Sequence, residues 1–120
     1  MNPVTFRRRI KPAEMLNFVA INLRQNRGFY KCNGMKARFH ANFKKCYKNL
    51  RPSEREKFNE RFKMFMQDPF LPLLNNHALY GKYAGCRSIN ITGDIRAIYQ
   101  LCGIDTAYFI AIDSHSNLYS

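Results

Sequence analysis

The sequence predicts an α+β fold in which two helices cover one face of a four-stranded antiparallel sheet. Two helical patterns lie in the middle of the chain, where aromatic residues recur every three or four positions. Three segments that alternate apolar and polar residues follow, and turn residues separate them. Because helices and strands occur in separate runs, the helices are expected on one face of the sheet only.

The two helices are predicted at residues 39–50 and 53–67. One face of the first carries four large apolar residues at helical spacing: Phe39, Phe43, Tyr47 and Leu50. A short first strand is expected at residues 36–39, directly before this helix. The second helix follows Pro52, begins with the capping motif Ser53-Glu-Arg-Glu56 and ends at Asp68-Pro69.

Three antiparallel strands are predicted in the second half of the chain. Residues 88–92 and 95–101 both alternate, and Gly93-Asp94 joins them as a β-hairpin. Residues 107–112 are almost wholly apolar, which is expected of a strand covered on both faces. Before the hairpin, residues 69–85 form a long connection rich in Pro, Asn and Gly. Connections of this length in a compact domain commonly carry function, so this one is expected to supply site residues.

The composition indicates one domain with an anionic partner. The chain has 120 residues, and 20 Lys and Arg against 8 Asp and Glu give a net charge of +12. Nucleic acid, an acidic protein and a membrane surface are candidate partners, and a solvated basic face is the alternative. No apolar run approaches the ~20 residues that span a bilayer, so a cytoplasmic protein without a membrane span is expected. The four cysteines lie far apart without a C-x-x-C pair, which favours reduced thiols over disulfides or a zinc site.

The chain divides near Met35. Residues 1–34 contain seven Lys and Arg and one Glu. A helix at residues 12–25, followed by a linker, is expected there, with too few apolar residues to form a core of its own. We therefore expect residues 1–34 to be a basic extension, added by an upstream start codon, and residues 35–120 to be the folded domain. The alternative is that the extension's helix docks its apolar side on the domain.

Two motifs identify a family. The first runs from Asp68 to Tyr99 and contains D-P-F-x-P, H-x-L-x-G, G-x-R-S-I and D-x-R-x-I-Y; the second is Asp113-Ser-His-Ser-Asn-Leu-Tyr119. Together with Phe43-Lys-Lys45 they resemble the RelE/YafQ family of toxins from type II toxin–antitoxin systems, over residues 35–120. The resemblance implies a RelE/ParE-like fold and a ribosome-dependent endoribonuclease that cleaves mRNA. It also implies an acidic antitoxin, mRNA on the ribosome and ribosomal RNA as partners.

The resemblance also implies the site residues. His77 matches the loop histidine of H-x-L-x-G, Asp94 the turn aspartate, and His115 and Tyr119 the histidine and final aromatic of the C-terminal motif. The remaining basic positions are expected to bind RNA phosphates: Arg87, Arg96, Lys82, Lys44, Lys45 and Lys48. Alternatively, Arg87 and Arg96 form salt bridges with Asp94 or Asp113, and Tyr119 only packs the C-terminus.

RNA cleavage by attack of the 2′-hydroxyl requires a general base, a general acid and a group that balances charge on the phosphate. We expect His115 to be the acid, Asp94 or His77 the base, and Arg87 with Arg96 the phosphate-binding pair, because Arg suits bidentate contact. Tyr119 is expected to stack on a base or orient the phosphate. Neither a metal nor a cofactor is expected.

The sequence departs from the family pattern at two places. Asn90 replaces the second-strand histidine of YafQ-like toxins, and Asp113-Ser114 replaces the usual Gly-Thr. Asn90 can form hydrogen bonds but cannot transfer a proton near neutral pH, so the division of acid and base roles stays open. Two alternatives remain: a ParE-type toxin that inhibits gyrase, and a non-enzymatic or decayed module that binds nucleic acid and antitoxin.

Overall fold

The computed structural model describes residues 30–32 and 35–119. Helix α1 spans Ala41–Asn49, α2 Pro52–Gln67 and α3 His115–Tyr119. The strands are β1 Tyr30–Cys32, β2 Met35–Phe39, β3 His77–Ala78, β4 Arg87–Asn90, β5 Ile95–Cys102 and β6 Thr106–Ser114. The helix predicted at residues 12–25 lies outside the described residues. Residues 30–32, predicted as linker, instead pair with β2 as an antiparallel strand.

Both predicted central helices are confirmed, and their ends have local causes. Helix α1 begins after His40, whose Nδ1 accepts the Asn42 N–H at 2.9 Å, so Phe39 belongs to β2 and not to the helix. Helix α2 begins one residue earlier than predicted, with Pro52 in its first turn. Its start is capped by Glu54, whose carboxylate accepts the Arg51 N–H at 2.9 Å, so the predicted Ser53–Glu56 capping box is wrong.

The predicted α+β arrangement is confirmed, but the sheet differs from a four-stranded antiparallel one. Within the described residues it has six strands in the order β1-β2-β6-β5-β4-β3, and β2 pairs with β6 in parallel. The predicted hairpin is confirmed, since Asn90 pairs with Arg96 across β4 and β5. Tight turns force hairpin neighbours to be antiparallel. Strand β2 reaches its neighbour β6 only through two helices and four-fifths of the domain, so no turn fixes their relative direction.

The main core lies between the sheet and helices α1 and α2. Phe43 of α1, Phe62 of α2 and Phe109 of β6 are fully buried in it, and the Phe109 ring packs edge to face against the other two. On β5, the residues Ile95, Ala97 and Tyr99 face this core. Burial of this aromatic face is what holds the helices on the sheet.

A smaller apolar cluster lies on the other face of the sheet. It contains Leu79, Cys86, Ile98, Ala111 and Leu118, so it joins the long loop and α3 to the strands. Ala111 of β6 enters this cluster and Ile112 the main core, so the predicted cover on both faces is confirmed for the end of the strand, whereas Tyr108 is only half-buried. No helix in the described part of the chain is long and apolar enough to cross a bilayer.

Candidate active site

A cleft of about 440 Å³ lies on the sheet face opposite the main core. The pairing of β3, β4 and β5 brings the residues of the cleft floor side by side. His77 pairs with Ser88, and Ser88 pairs with Ile98. Arg96 lies two residues before Ile98 and therefore on the same face of β5. Helix α3 forms the remaining wall. Seven residues line the cleft: Asn75, His77, Leu79, Ser88, Arg96, His115 and Tyr119. The structure thus brings together four of the residues predicted for the site, namely His77, Arg96, His115 and Tyr119.

The His77 imidazole is oriented by the loop that carries it. Asn75 adopts the left-handed conformation with φ 47° and ψ 49°, which Asn tolerates better than most residues. Its carbonyl oxygen lies 2.8 Å from Nδ1 of His77. Because a carbonyl oxygen only accepts, Nδ1 carries the proton of the neutral ring and Nε2 holds a lone pair. Nε2 is therefore the atom that can accept a proton from a substrate.

Helix α3 places His115 and Tyr119 on the same side of the cleft. Ser114 Oγ accepts the Asn117 N–H at 3.2 Å and so caps the helix, while Asp113 Oδ1 accepts from the Asn117 side chain, at Nδ2, at 3.2 Å. Asp113 and Ser114, which replace the family's Gly-Thr, thus both bind Asn117 in the first turn of α3. One helical turn apart, the rings of His115 and Tyr119 are 4.8 Å from each other.

The Tyr119 ring also packs against the long loop. Its centroid lies 5.9 Å from that of Tyr83 at nearly a right angle. Burial raises the pKa of the Tyr83 phenol, so this hydroxyl stays protonated at neutral pH. Because Tyr119 is still 38% exposed, it packs against the loop and also offers ring surface to the cleft.

Asp94 reaches this region through its backbone. Its carbonyl oxygen accepts the His115 N–H at 2.8 Å, and its own N–H donates to Thr92 Oγ1 at 3.1 Å. The Asp94 side chain is exposed and is not part of the cleft lining. The structure therefore gives Asp94 a part in holding the start of α3, and its role as a general base stays a prediction.

Arg96 lies in the cleft with its guanidinium group fixed over the hairpin turn. Nη1 donates to the carbonyl oxygens of Thr92 at 3.0 Å and Gly93 at 3.2 Å. Within residues 35–119, no carboxylate lies within ion-pairing distance of Arg96. Its positive charge is thus held in place by backbone oxygens and not neutralised by a neighbour.

Arg87 is not brought into the cleft, because it alternates with Ser88 and shares the opposite face of β4 with Ile89. Its Nε donates to Asn76 Oδ1 at 2.7 Å, and its guanidinium lies 5.3 Å from the centre of the Phe70 ring. Asn76 Nδ2 donates in turn to the Tyr99 hydroxyl at 2.7 Å and the Pro69 carbonyl at 2.9 Å. Burial raises the pKa of the Tyr99 phenol.

Asn76 is a residue that sequence reasoning missed. It anchors the peptide between Asn75 and His77 to the core face of the sheet. The only sequence signal was the Asn75-Asn-His run itself, since Asn supplies both a donor and an acceptor in turns. The remaining predicted RNA contacts lie elsewhere: Lys82 is 5.4 Å from the Tyr83 ring centre, and Lys44, Lys45 and Lys48 belong to α1. None of these four lysines lines the cleft.

A match to a family model shows which proteins this chain is related to. The model of the YafQ family, described as bacterial toxin of type II toxin–antitoxin systems, matches residues 35–120. The chain belongs to the YafQ toxin family. It is therefore a YafQ-type toxin of a toxin–antitoxin system, as the motifs implied. Comparison with curated protein sequences finds no significant match.

Solved structures share the YafQ fold with this chain. YafQ from Escherichia coli is 17% identical, with 72% of this chain and 99% of that chain covered and a TM-score of 0.61. The E. coli DinJ-YafQ toxin–antitoxin complex is 16% identical over the same shares, with a TM-score of 0.60. A YoeB/ParE toxin from Agrobacterium tumefaciens is 25% identical, covers 68% of this chain and 99% of its own, and has a TM-score of 0.58.

Within this YafQ fold, Asn90 pairs with Arg96 across the hairpin and stands on the cleft side of β4. Its Oδ1 and the Oγ of Ser88 are buried, and neither has a hydrogen-bond partner among residues 30–32 and 35–119. Buried polar groups are nearly always satisfied, and exceptions concentrate at functional sites. Sequence reasoning identified Asn90 only as a departure from the family and missed Ser88. Ser88 and Asn90 therefore each place a buried oxygen atom beneath the cleft, without a partner among the described residues.

Proposed function

We propose that this YafQ-family toxin is an endoribonuclease that cleaves mRNA on the ribosome. The observation that carries the proposal is the convergence of two imidazoles, one guanidinium and one phenol on a single cleft. These groups supply what attack by a 2′-hydroxyl requires: a proton acceptor, a proton donor and a positive charge near the phosphate.

In the proposed reaction, Nε2 of His77 removes the proton of the 2′-hydroxyl, whose oxygen attacks the adjacent phosphorus. The bond from phosphorus to the 5′-oxygen breaks, and His115 in its protonated form donates a proton to that leaving oxygen. The products are a 2′,3′-cyclic phosphate and a 5′-hydroxyl. Arg96 balances the added negative charge on the phosphoryl oxygens. Tyr119 stacks on a base beside the scissile bond.

The structure favours His77 over Asp94 as the general base. His77 lines the cleft and its Nε2 holds a lone pair, whereas the Asp94 carboxylate is outside the lining. Arg96 is favoured over Arg87 as the phosphate-binding residue for the same reason. The proposed reaction uses protein side chains alone, so no metal ion bound to the protein is expected to take part.

The proposed partners follow from charge and family. The net charge of +12 suits ribosomal RNA and mRNA, and the basic residues of α1 and Lys82 are proposed to contact RNA phosphates outside the cleft. An acidic antitoxin is proposed to neutralise the protein. The complex of DinJ with YafQ, whose toxin shares this fold, supports a protein of that kind as partner.

The test is to induce the protein in cells and map the 5′ ends of mRNA, with single variants H77A and H115A. Loss of an acid or base should lower cleavage about 10²–10⁴-fold. Gln67→Ala, at the exposed end of α2, is the control and should cleave normally. An mRNA with a 2′-deoxynucleotide at the cleavage position should resist cutting. Cleavage of that RNA, or full activity of both histidine variants, would overturn the mechanism.

The mRNA map, combined with a gyrase supercoiling assay, separates the alternative functions. A ParE-type toxin would inhibit DNA supercoiling by gyrase and leave mRNA intact, and the likeness to a YoeB/ParE toxin makes that assay worthwhile. A decayed toxin would bind antitoxin but neither cleave RNA nor inhibit gyrase.

A further inference from the structure

A second cleft of about 510 Å³ lies on the same open face of the sheet, at the far end of β5. Strand pairing builds it: Lys36 and Arg38 of β2 lie beside Thr106 and Tyr108 of β6, and Cys102 of β5 pairs with Thr106. These five residues line the cleft. The neighbouring Ala37, Ala107 and Phe109 point into the main core, so the cleft residues face away from the helices.

The second cleft carries uncompensated positive charge. Arg38 is exposed, and no carboxylate of residues 35–119 pairs with it. Lys36 Nζ is 3.8 Å from a carboxylate oxygen of Asp105, with both side chains at least 40% exposed, so this pair is weak. Asp105 also accepts a hydrogen bond from the Thr106 hydroxyl at 3.1 Å. Two cations thus face one carboxylate.

The second cleft also offers an aromatic surface. Tyr108 is half-buried, and its ring and the His40 ring meet edge to face at a centroid distance of 5.7 Å. A cationic groove with an aromatic ring is the combination that binds single-stranded nucleic acid, because the cations bind phosphates and a base stacks on the ring. Two cations and a tyrosine with a single carboxylate beside them suit an RNA strand better than an apolar ligand.

The two clefts are separated by a distance that an RNA strand can span. Strand β5 runs from Arg96 in the first cleft to Cys102 in the second, which at about 3.3 Å per residue is about 20 Å. At ~3.4 Å per stacked nucleotide this corresponds to about six nucleotides, and to fewer in an extended strand. Gln100, exposed between them, lies on the same face of the strand.

We propose that the second cleft is a distal subsite that binds a phosphate and a base of the same RNA strand whose scissile bond lies in the first cleft. Lys36 and Arg38 bind the phosphate, and Tyr108 stacks on the base. The proposal rests on the proposed ribonuclease function for the identity of the ligand. It adds that affinity for RNA rises once the strand is long enough to reach from one cleft to the other.

The test measures binding of single-stranded RNA of three and of ten nucleotides to the full chain carrying His115→Ala, which prevents cleavage. In this background, Arg38→Gln and Tyr108→Ala should each weaken binding of the ten-nucleotide RNA at least about 5-fold. Neither should change binding of the three-nucleotide RNA. Lys63→Gln, which removes one charge from α2, is the control and should affect neither length. Arg38→Gln should also reduce the salt dependence of the longer RNA by about 0.7 in log–log slope.

Alkylation of Cys102 locates the bound strand. This thiol is exposed in the second cleft, so the ten-nucleotide RNA should slow its modification and the three-nucleotide RNA should not. Equal effects of Arg38→Gln on both lengths, or no protection of Cys102, would overturn the subsite. Weakened binding of an acidic antitoxin, without any RNA effect, would assign the cleft to that protein instead. These measurements concern binding only, so they test the subsite separately from cleavage. If the chain with His115 intact never cleaves mRNA, the ribonuclease proposal fails and the subsite stands.

Discussion

The helix-covered face of the sheet and its open face come from the same strands but differ in chemistry. On the covered face, Phe109 contacts rings from both helices and from β2 and β5, and it is fully buried. On the open face, the apolar core is a small cluster around Ile98, and basic and polar side chains surround it. Alternation along each strand lets one face maintain stability while the other holds a site.

The largest expected effect is on the covered face. Phe109→Ala should lower the free energy of unfolding by about 3–5 kcal/mol, because it removes a ring at the centre of the aromatic core. Urea denaturation measures this loss. Phe70→Ala is the matched control, since Phe70 is 62% exposed and should cost under about 1 kcal/mol. If Phe109→Ala and Phe70→Ala lowered the free energy of unfolding equally, stability would not depend mainly on the covered face.

A smaller effect is expected from the cluster on the open face. Leu118 is 5% exposed and fixes α3 on the sheet, so Leu118→Ala should cost about 3 kcal/mol of local stability. Hydrogen exchange should show faster exchange in α3 while β5 and β6 remain protected. Cleavage of RNA should fall because His115 and Tyr119 are no longer fixed. Cooperative loss of the whole fold would show instead that the two clusters act as one.

Asn76 connects the two faces, so its replacement tests how far the cleft depends on the core. Asn76→Ala removes the partner of the buried Tyr99 hydroxyl and of Arg87, at a cost of about 2 kcal/mol. The loop that orients His77 should loosen, so kcat for cleavage should fall more than binding of RNA. Asn75→Ala, which loses the favoured left-handed residue but not these bonds, is the comparison variant. Unchanged kcat in Asn76→Ala would remove Asn76 from the positioning of His77.

The smallest effect is expected at Ser88, beneath the first cleft. Its hydroxyl is buried and has no hydrogen-bond partner in the described part of the chain, so Ser88→Ala removes an unsatisfied group. Stability should change by less than about 1 kcal/mol, towards higher stability. Thermal unfolding measures the shift. A clear destabilisation would mean that the hydroxyl has a hydrogen-bond partner in solution.

The helices, the hairpin and the family motifs were predictable because they depend on nearby residues. The aromatic spacing at Phe43 and Tyr47, and the turn at Gly93-Asp94, each act over a few positions. Strand alternation also predicts that Arg87 and Ser88 point to opposite faces. Which of the two faces holds the site was not predictable, since that depends on where α3 and the long loop pack.

What the sequence determined by itself was therefore the α+β class, the two central helices, the antiparallel hairpin and the membership that the motifs implied. Only the tertiary structure decided the parallel pairing of β2 with β6, the separation of Arg87 from Arg96 and the second cleft. The physical reason is how far apart in the sequence the contacting residues lie. Helix periodicity and turn conformations are fixed by contacts within a few residues, whereas Arg38 and Tyr108 meet only because the chain returns across 70 positions to complete the sheet.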